Sequence, residues 1–215
     1  MRTIKGLLLF GLVVGSQLRA EIVVQQAEGD SDVSFAQGTV DLGRAAENGE
    51  NFVVYEGLPH HFEKELVEKE IRTKTTVRFD GNWFYTPAQS TTEEEAAHLT
   101  KLFGDQVFKP WRGFKFCGGF HGDYAVAFAS GKDNWLVLFC FSCHEARILK
   151  LPMPQGTQPA SVGWRLTVDL IDDKFQELTT LFKNRRQERP ASQLGKPKVT
   201  APAPAPEPPR MPVHI

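Results

Sequence analysis

Residues 124–141 read YAVAFASGKDNWLVLFCF, and the fold follows from how this stretch divides. Tyr124, Val126 and Phe128 alternate with a period of two, the mark of a half-buried strand. Ser130-Gly131-Lys132-Asp133 is a turn, and Trp135 to Phe141 is a second run rich in apolar and aromatic side chains. Two such runs on a short glycine-bearing loop predict an antiparallel hairpin. With the pivot at Gly131-Lys132, residues whose numbers sum to about 263 face each other. Cys140 is then set against Asp123, and Cys143 against Phe120.

Outward from the hairpin, Phe52-Val53-Val54-Tyr55 reads as a strand closed by Gly57. Pro59 suits a first helical position, and Phe62, Leu66, Val67 and Ile71 recur near helical spacing, so a helix is expected there. Val77 and Phe79, then Trp83-Phe84-Tyr85, flank the turn signal Asp80-Gly81-Asn82. Thr92 with Glu95 three residues on is a capping box, followed by Ala96, Leu99, Leu102 and Phe103 until Gly104. Ala146 to Leu149 supply one more strand. A last helix starts near Asp172 or Asp173 and buries Phe175, Leu178, Leu181 and Phe182. This order predicts an α+β domain, a mainly antiparallel sheet with a central hairpin and about three helices on one face.

The ends read differently. Arg2 and Lys5, an uncharged stretch from Gly6 to Gly15 and a small Ala20 have the layout of a secretory signal, assigned to residues 1–20. Its apolar part is too short to cross a bilayer as a helix, and no later stretch is long enough either. Residues 21–50 are polar and glycine-rich and are expected to be an irregular lead-in to a domain at 51–186. Eight of the fourteen prolines follow Arg186, so residues 187–215 are expected to form a disordered, semi-rigid tail.

With 41% apolar and 24% charged residues, the composition is that of a globular chain and excludes a collagen, a coiled-coil rod or a multi-pass membrane protein. A net charge of -1 gives no field that favours nucleic acid. No nucleotide-binding glycine loop, serine nucleophile elbow or H-E-x-x-H is present.

The three cysteines carry the only pointed chemistry, as Cys117-Gly-Gly-Phe-His121 and Cys140-Phe-Ser-Cys143-His144. The predicted hairpin brings both segments to one end, and four readings compete. Cys117, Cys140 and Cys143 with His121, or with His144 in its place, make the ligand set of a closed structural zinc site. Cys140 to His144 also spells C-x-x-C-H, the attachment signature of a c-type haem. C-x-x-C after an apolar strand is the arrangement of a thiol-disulfide couple, although Pro152 leaves no room for the long helix that usually follows. The fourth is one disulfide, Cys117 to Cys140 or to Cys143, with the third thiol free or buried. Zinc alone employs all three cysteines. Two weaker candidates are His60-His61 beside Glu56 and Glu63, read as helix-start residues, and His121 with Asp123, where an aspartate beside a turn more often bonds backbone amides.

Three stretches resemble a group of exported bacterial proteins of unassigned function. They are Tyr-Glu-Gly-Leu-Pro-His at 55–60, Cys-Gly-Gly-Phe-His-x-Asp-Tyr at 117–124 and Cys-Phe-x-Cys-x-Glu at 140–145. In that pattern proline commonly stands where this chain has Gly122, and the residue at His144 varies. The resemblance therefore implies that His144 is no obligate iron ligand, and it brings no activity with it. The expectation from sequence is a secreted or periplasmic, monomeric, non-enzymatic binding or structural domain with a zinc or cysteine-stabilised site and an envelope or protein partner. The alternatives are a haem-bearing electron carrier and a thiol-redox protein.

Overall fold

A computed structural model describes residues 33–104, 107–113, 115, 118–152 and 162–192. The signal segment 1–20 and the tail beyond 192 lie outside the described residues, as does Cys117. The elements, in order, are α1 (Phe35–Glu47), β1 (Glu50–Glu56), α2 (Lys64–Thr73), β2 (Thr76–Phe79), β3 (Asn82–Tyr85), β4 (Gln89–Ser90) and α3 (Glu93–Gly104). They continue with β5 (Phe108–Pro110), β6 (Tyr124–Ser130), β7 (Asp133–Cys140), β8 (Glu145–Pro152), β9 (Trp164–Leu170) and α4 (Asp172–Lys183).

The protein is of the α+β class. Seven strands form one antiparallel sheet in the order β4-β1-β6-β7-β8-β9-β5, and β2-β3 form a separate hairpin. The central hairpin has the predicted register, with Tyr124 opposite Phe139 and Ser130 opposite Asp133. Alternation then divides its side chains between two cores. Val126, Phe128, Trp135, Val137 and Phe139 join Leu42 and Ala46 of α1, Leu99, Leu102 and Phe103 of α3, and Leu178 and Phe182 of α4. Ala125, Leu136 and Leu138 face the other way and pack with Val77, Phe79 and Phe84 of the small hairpin. A strand covered on both faces needs apolar residues at consecutive positions, which explains the unbroken run in β7. Asp80 at the tip of the small hairpin accepts from Arg147 at 2.7 Å and Arg165 at 3.1 Å, tying this layer to β8 and β9.

Thr92 and Glu95 form the capping box, with Glu95 N–H donating to Thr92 Oγ1 at 3.1 Å and Thr92 N–H to Glu95 Oε2 at 2.8 Å. Four expectations change. Part of the lead-in is a core helix: Ser34 caps α1 by accepting from Gln37 N–H at 3.2 Å, and Leu42, Ala45 and Ala46 are buried. Its glycines mark close approach rather than loop, since a Cβ on Gly43 would stand 3.4 Å from the backbone of Phe103 and Gly104. The helix after Pro59 starts only at Lys64, because Leu58 is drawn into the structure by donating to Trp83 O at 3.0 Å, and Phe62 is left 57% exposed. Strand β9, in which Trp164, Leu166, Val168 and Leu170 alternate, adds an element to the expected order. Finally, the folded unit does not stop at Arg186, because residues 187–189 are bonded to β1.

Candidate functional site

The two glycine-bearing motif stretches meet at one end of the sheet, where β1 runs out beside the start of β6. Gly57 N–H donates to Asp123 O at 2.8 Å, and a Cβ on Gly57 would fall 1.8 Å from Gly122 O. Only a glycine lets these backbones touch. The crossing sets Leu58 O and Pro59 O at 3.0 and 3.2 Å from Nε2 of the buried His121, whose Nδ1 is 3.3 Å from Asp123 Oδ1. The third stretch closes the corner: Phe141 N–H donates to Asp123 Oδ2 at 2.8 Å, and His121 N–H points at Cys140 Sγ at 3.4 Å.

Three imidazoles collect in front of this corner. His60 stacks between His61, 4.2 Å away, and His121, 4.8 Å away, and accepts from Phe62 N–H at 3.3 Å. His61 Nε2 is 3.0 Å from Gly118 O. Burial, then the charges of His121 and His61, hold the His60 imidazole below its ordinary pKa, against the opposite pull of Asp123 and Glu63.

Behind the histidines lie the half-buried carboxylate of Asp123 and the buried one of Glu56. Burial would raise the pKa of Asp123, but hydrogen bonding and charge from His121, the Arg189 guanidinium and the Phe141 N–H outweigh it and hold the carboxyl below its usual range. Arg189 Nη1 donates to Asp123 Oδ1 at 2.8 Å, and its guanidinium carbon lies 5.4 Å from the centre of the Tyr124 ring. Glu56, 2% exposed, accepts Gln187 N–H at 2.9 Å and Glu188 N–H at 2.8 Å on Oε2, and Arg189 N–H at 3.0 Å on Oε1. Glu145, the acid of the third stretch, stands opposite Asp169 across β8 and β9. Two facing carboxylates repel unless a cation lies between them. Lys115 supplies it, 2.7 Å from Asp169 and 3.5 Å from Glu145, while also donating to Cys143 O at 2.7 Å.

Of the sequence-predicted ligands, Cys140 and Cys143 stay together, their sulfurs 3.4 and 4.0 Å from Ser142 Oγ, but they differ in state. Cys140 is a free thiol with no exposed surface, and burial pushes it up in pKa against the bonds it receives from Ser142 and the His121 N–H. Cys143 is disulfide-bonded, and its sulfur lies 3.5 Å from Gly119 O. A sulfur in a disulfide has no thiolate to give a metal, nor a thiol to bond a porphyrin vinyl. His144 turns aside at a φ of 54° and stacks on Phe175 of α4, ring centres 3.8 Å apart. Among the described residues no group of three or more His, Cys, Asp or Glu side chains is placed to hold a metal ion. Cys117 lies outside that comparison.

Chemically, the corner's one thiol among the described residues, Cys140, is buried. The corner presents carboxylates that receive amide and guanidinium donors. Glu56 and Asp123 stand near histidines in the sequence and Tyr124 follows Asp123 directly, whereas nothing in the sequence ties Arg189 to them. An arginine in a charged run carries no mark of which carboxylate it will meet.

No protein-family model, curated protein or solved structure matches this chain significantly. Among the described residues no helix is long and apolar enough to cross a membrane.

Proposed function

We propose that the chain is an exported, non-enzymatic binding or structural domain of the cell envelope whose motif end is fastened by a disulfide. The observation that carries this reading is the pairing of states at C-x-x-C: Cys143 oxidised in a disulfide, Cys140 a buried free thiol. Cys140 being free, the disulfide of Cys143 does not close the C-x-x-C pair. Disulfides persist outside the reducing cytosol, which agrees with the secretory layout of residues 1–20. The inert burial of Cys140 supports a role in packing over one in catalysis or electron transfer.

Thiol counting on the natively exported protein tests the proposal. One thiol titrates in denaturant without reductant and three after reduction, with neither stoichiometric zinc nor Soret absorbance. Three thiols with one zinc per chain would replace the disulfide by the tetrahedral site. A Soret band would make the protein a haem carrier.

A further inference from the structure

Gln187, Glu188 and Arg189 lie across the motif corner as a strap. Its contacts are polar: three amides on Glu56, the guanidinium on Asp123 and Tyr124, and an ion pair of Glu188 with Lys74 at 2.5 Å. Gln187 and Glu188 are exposed, and no residue from 187 to 192 is buried. A segment that buries no apolar side chain opens locally, without unfolding the core.

The surface beneath is built without it. Glu56 is fixed in β1 between β4 and β6. Asp123 is oriented by the Phe141 N–H and His121, and Tyr124 is stacked on Phe182 of α4 with ring centres 5.0 Å apart. With the strap lifted, two carboxylates and an aromatic face remain in place, a preorganised receptor for a cation with planar donors. A carboxylate beside a tyrosine ring suits guanidinium better than ammonium, because the flat group bonds the acid at its edge and lies on the ring with its face. Glu56 adds a demand that a bent backbone meets, three successive N–H donors turned to one side, as residues 187 and 188 bend to do.

We propose that Glu56, Asp123 and Tyr124 form a receptor for an arginine-bearing peptide bent as residues 187 and 188 are, that residues 187–190 fill it in cis, and that an arginine-bearing segment of a partner protein displaces them. This deepens the binding-domain reading and rests on it. The strap is then an internal competitor that sets the threshold for the partner.

The probe is a capped peptide with the sequence of residues 186–190, titrated by calorimetry into the full chain and into its Arg189→Ala variant. The variant binds at least about tenfold more tightly than the wild type, and a peptide with citrulline in place of the second arginine loses at least about tenfold. Adding Asp123→Asn removes the preference for arginine over citrulline. Equal affinity of both chains, or of both peptides, would overturn the receptor. Should Arg189→Ala not fold, hydrogen exchange on the wild type decides. A large excess of peptide speeds exchange of the 187–189 amides about tenfold or more and leaves β6 and β7 unchanged. Unaltered 187–189 rates also overturn it. A folded chain with one titratable thiol that ignores the peptide loses the receptor and keeps the disulfide-fastened domain.

Discussion

Glu56→Gln is the sharpest single perturbation of the motif corner. Glu56 Oε2 accepts two amides at 2.9 and 2.8 Å, and Oε1 a third at 3.0 Å. Glutamine has nearly the same shape but keeps one oxygen and turns the other acceptor into a donor. With its oxygen toward Gln187 and Glu188, two bonds survive at neutral strength and the new NH2 meets the Arg189 N–H donor to donor. Losing one charge-assisted bond costs about 1.5–3 kcal/mol, and an unsatisfied buried donor adds about 1–3 kcal/mol. The expected loss is about 3–4 kcal/mol, limited to the docking free energy of the strap, since the strap can leave and let water in. Two readouts separate the possibilities. If the strap belongs to the cooperative unit, Tm falls by about 6–16 °C at about 2–4 °C per kcal/mol. If it opens alone, Tm moves little and the 187–189 amides exchange near the rate of an open chain. Protected amides together with an unchanged Tm would refute the assignment of Glu56 as the anchor.

Three further outcomes are expected. Cys143→Ser, by removing the disulfide, lowers unfolding free energy by about 2–4 kcal/mol in denaturant titration, and a change under 1 kcal/mol would place the disulfide's contribution elsewhere. Gly57→Ala drives a Cβ to 1.8 Å from Gly122 O and must part the two motif segments, costing about 3 kcal/mol or more, whereas retention of wild-type Tm would show that the backbones yield freely. Acid titration of stability should show two steps. The folded pKa of His60 lies below its ordinary 6.5, so the unfolded chain binds more protons and stability falls as pH drops below about 6.5. The Asp123 pKa is depressed from 3.8, so its contribution is present above that value and is lost as pH falls through the folded value; removing His60 with His60→Ala should flatten only the upper step.

Local patterns were strong where one element decides its own state. The alternation of Tyr124, Val126 and Phe128, the Gly131-Lys132 loop and the capping box of Thr92 with Glu95 each fix a nearby geometry, and each appears as read. Helix α1 escaped because glycines that signal a loop in isolation serve in it as points of contact, Gly43 against the backbone of α3. The start of α2 moved because Leu58 bonds to Trp83, a partner that no local rule supplies. In the cysteine cluster, the hairpin register correctly carried Cys140 to the Asp123 corner, yet ligand spacing says nothing about oxidation state.

The sequence by itself determined the α+β class, the central hairpin with its register, the capping of α3 and the approach of the cysteine segments, since all depend on neighbours along the chain or on one turn. Tertiary structure alone decided which donors the buried Glu56 and the half-buried Asp123 receive. Glu56 is satisfied by amides more than 130 residues away, and Asp123 by His121, Phe141 and Arg189 from three separate stretches. A buried charge takes whatever donors the packed layers bring within about 3 Å, and that proximity exists only once the layers have closed.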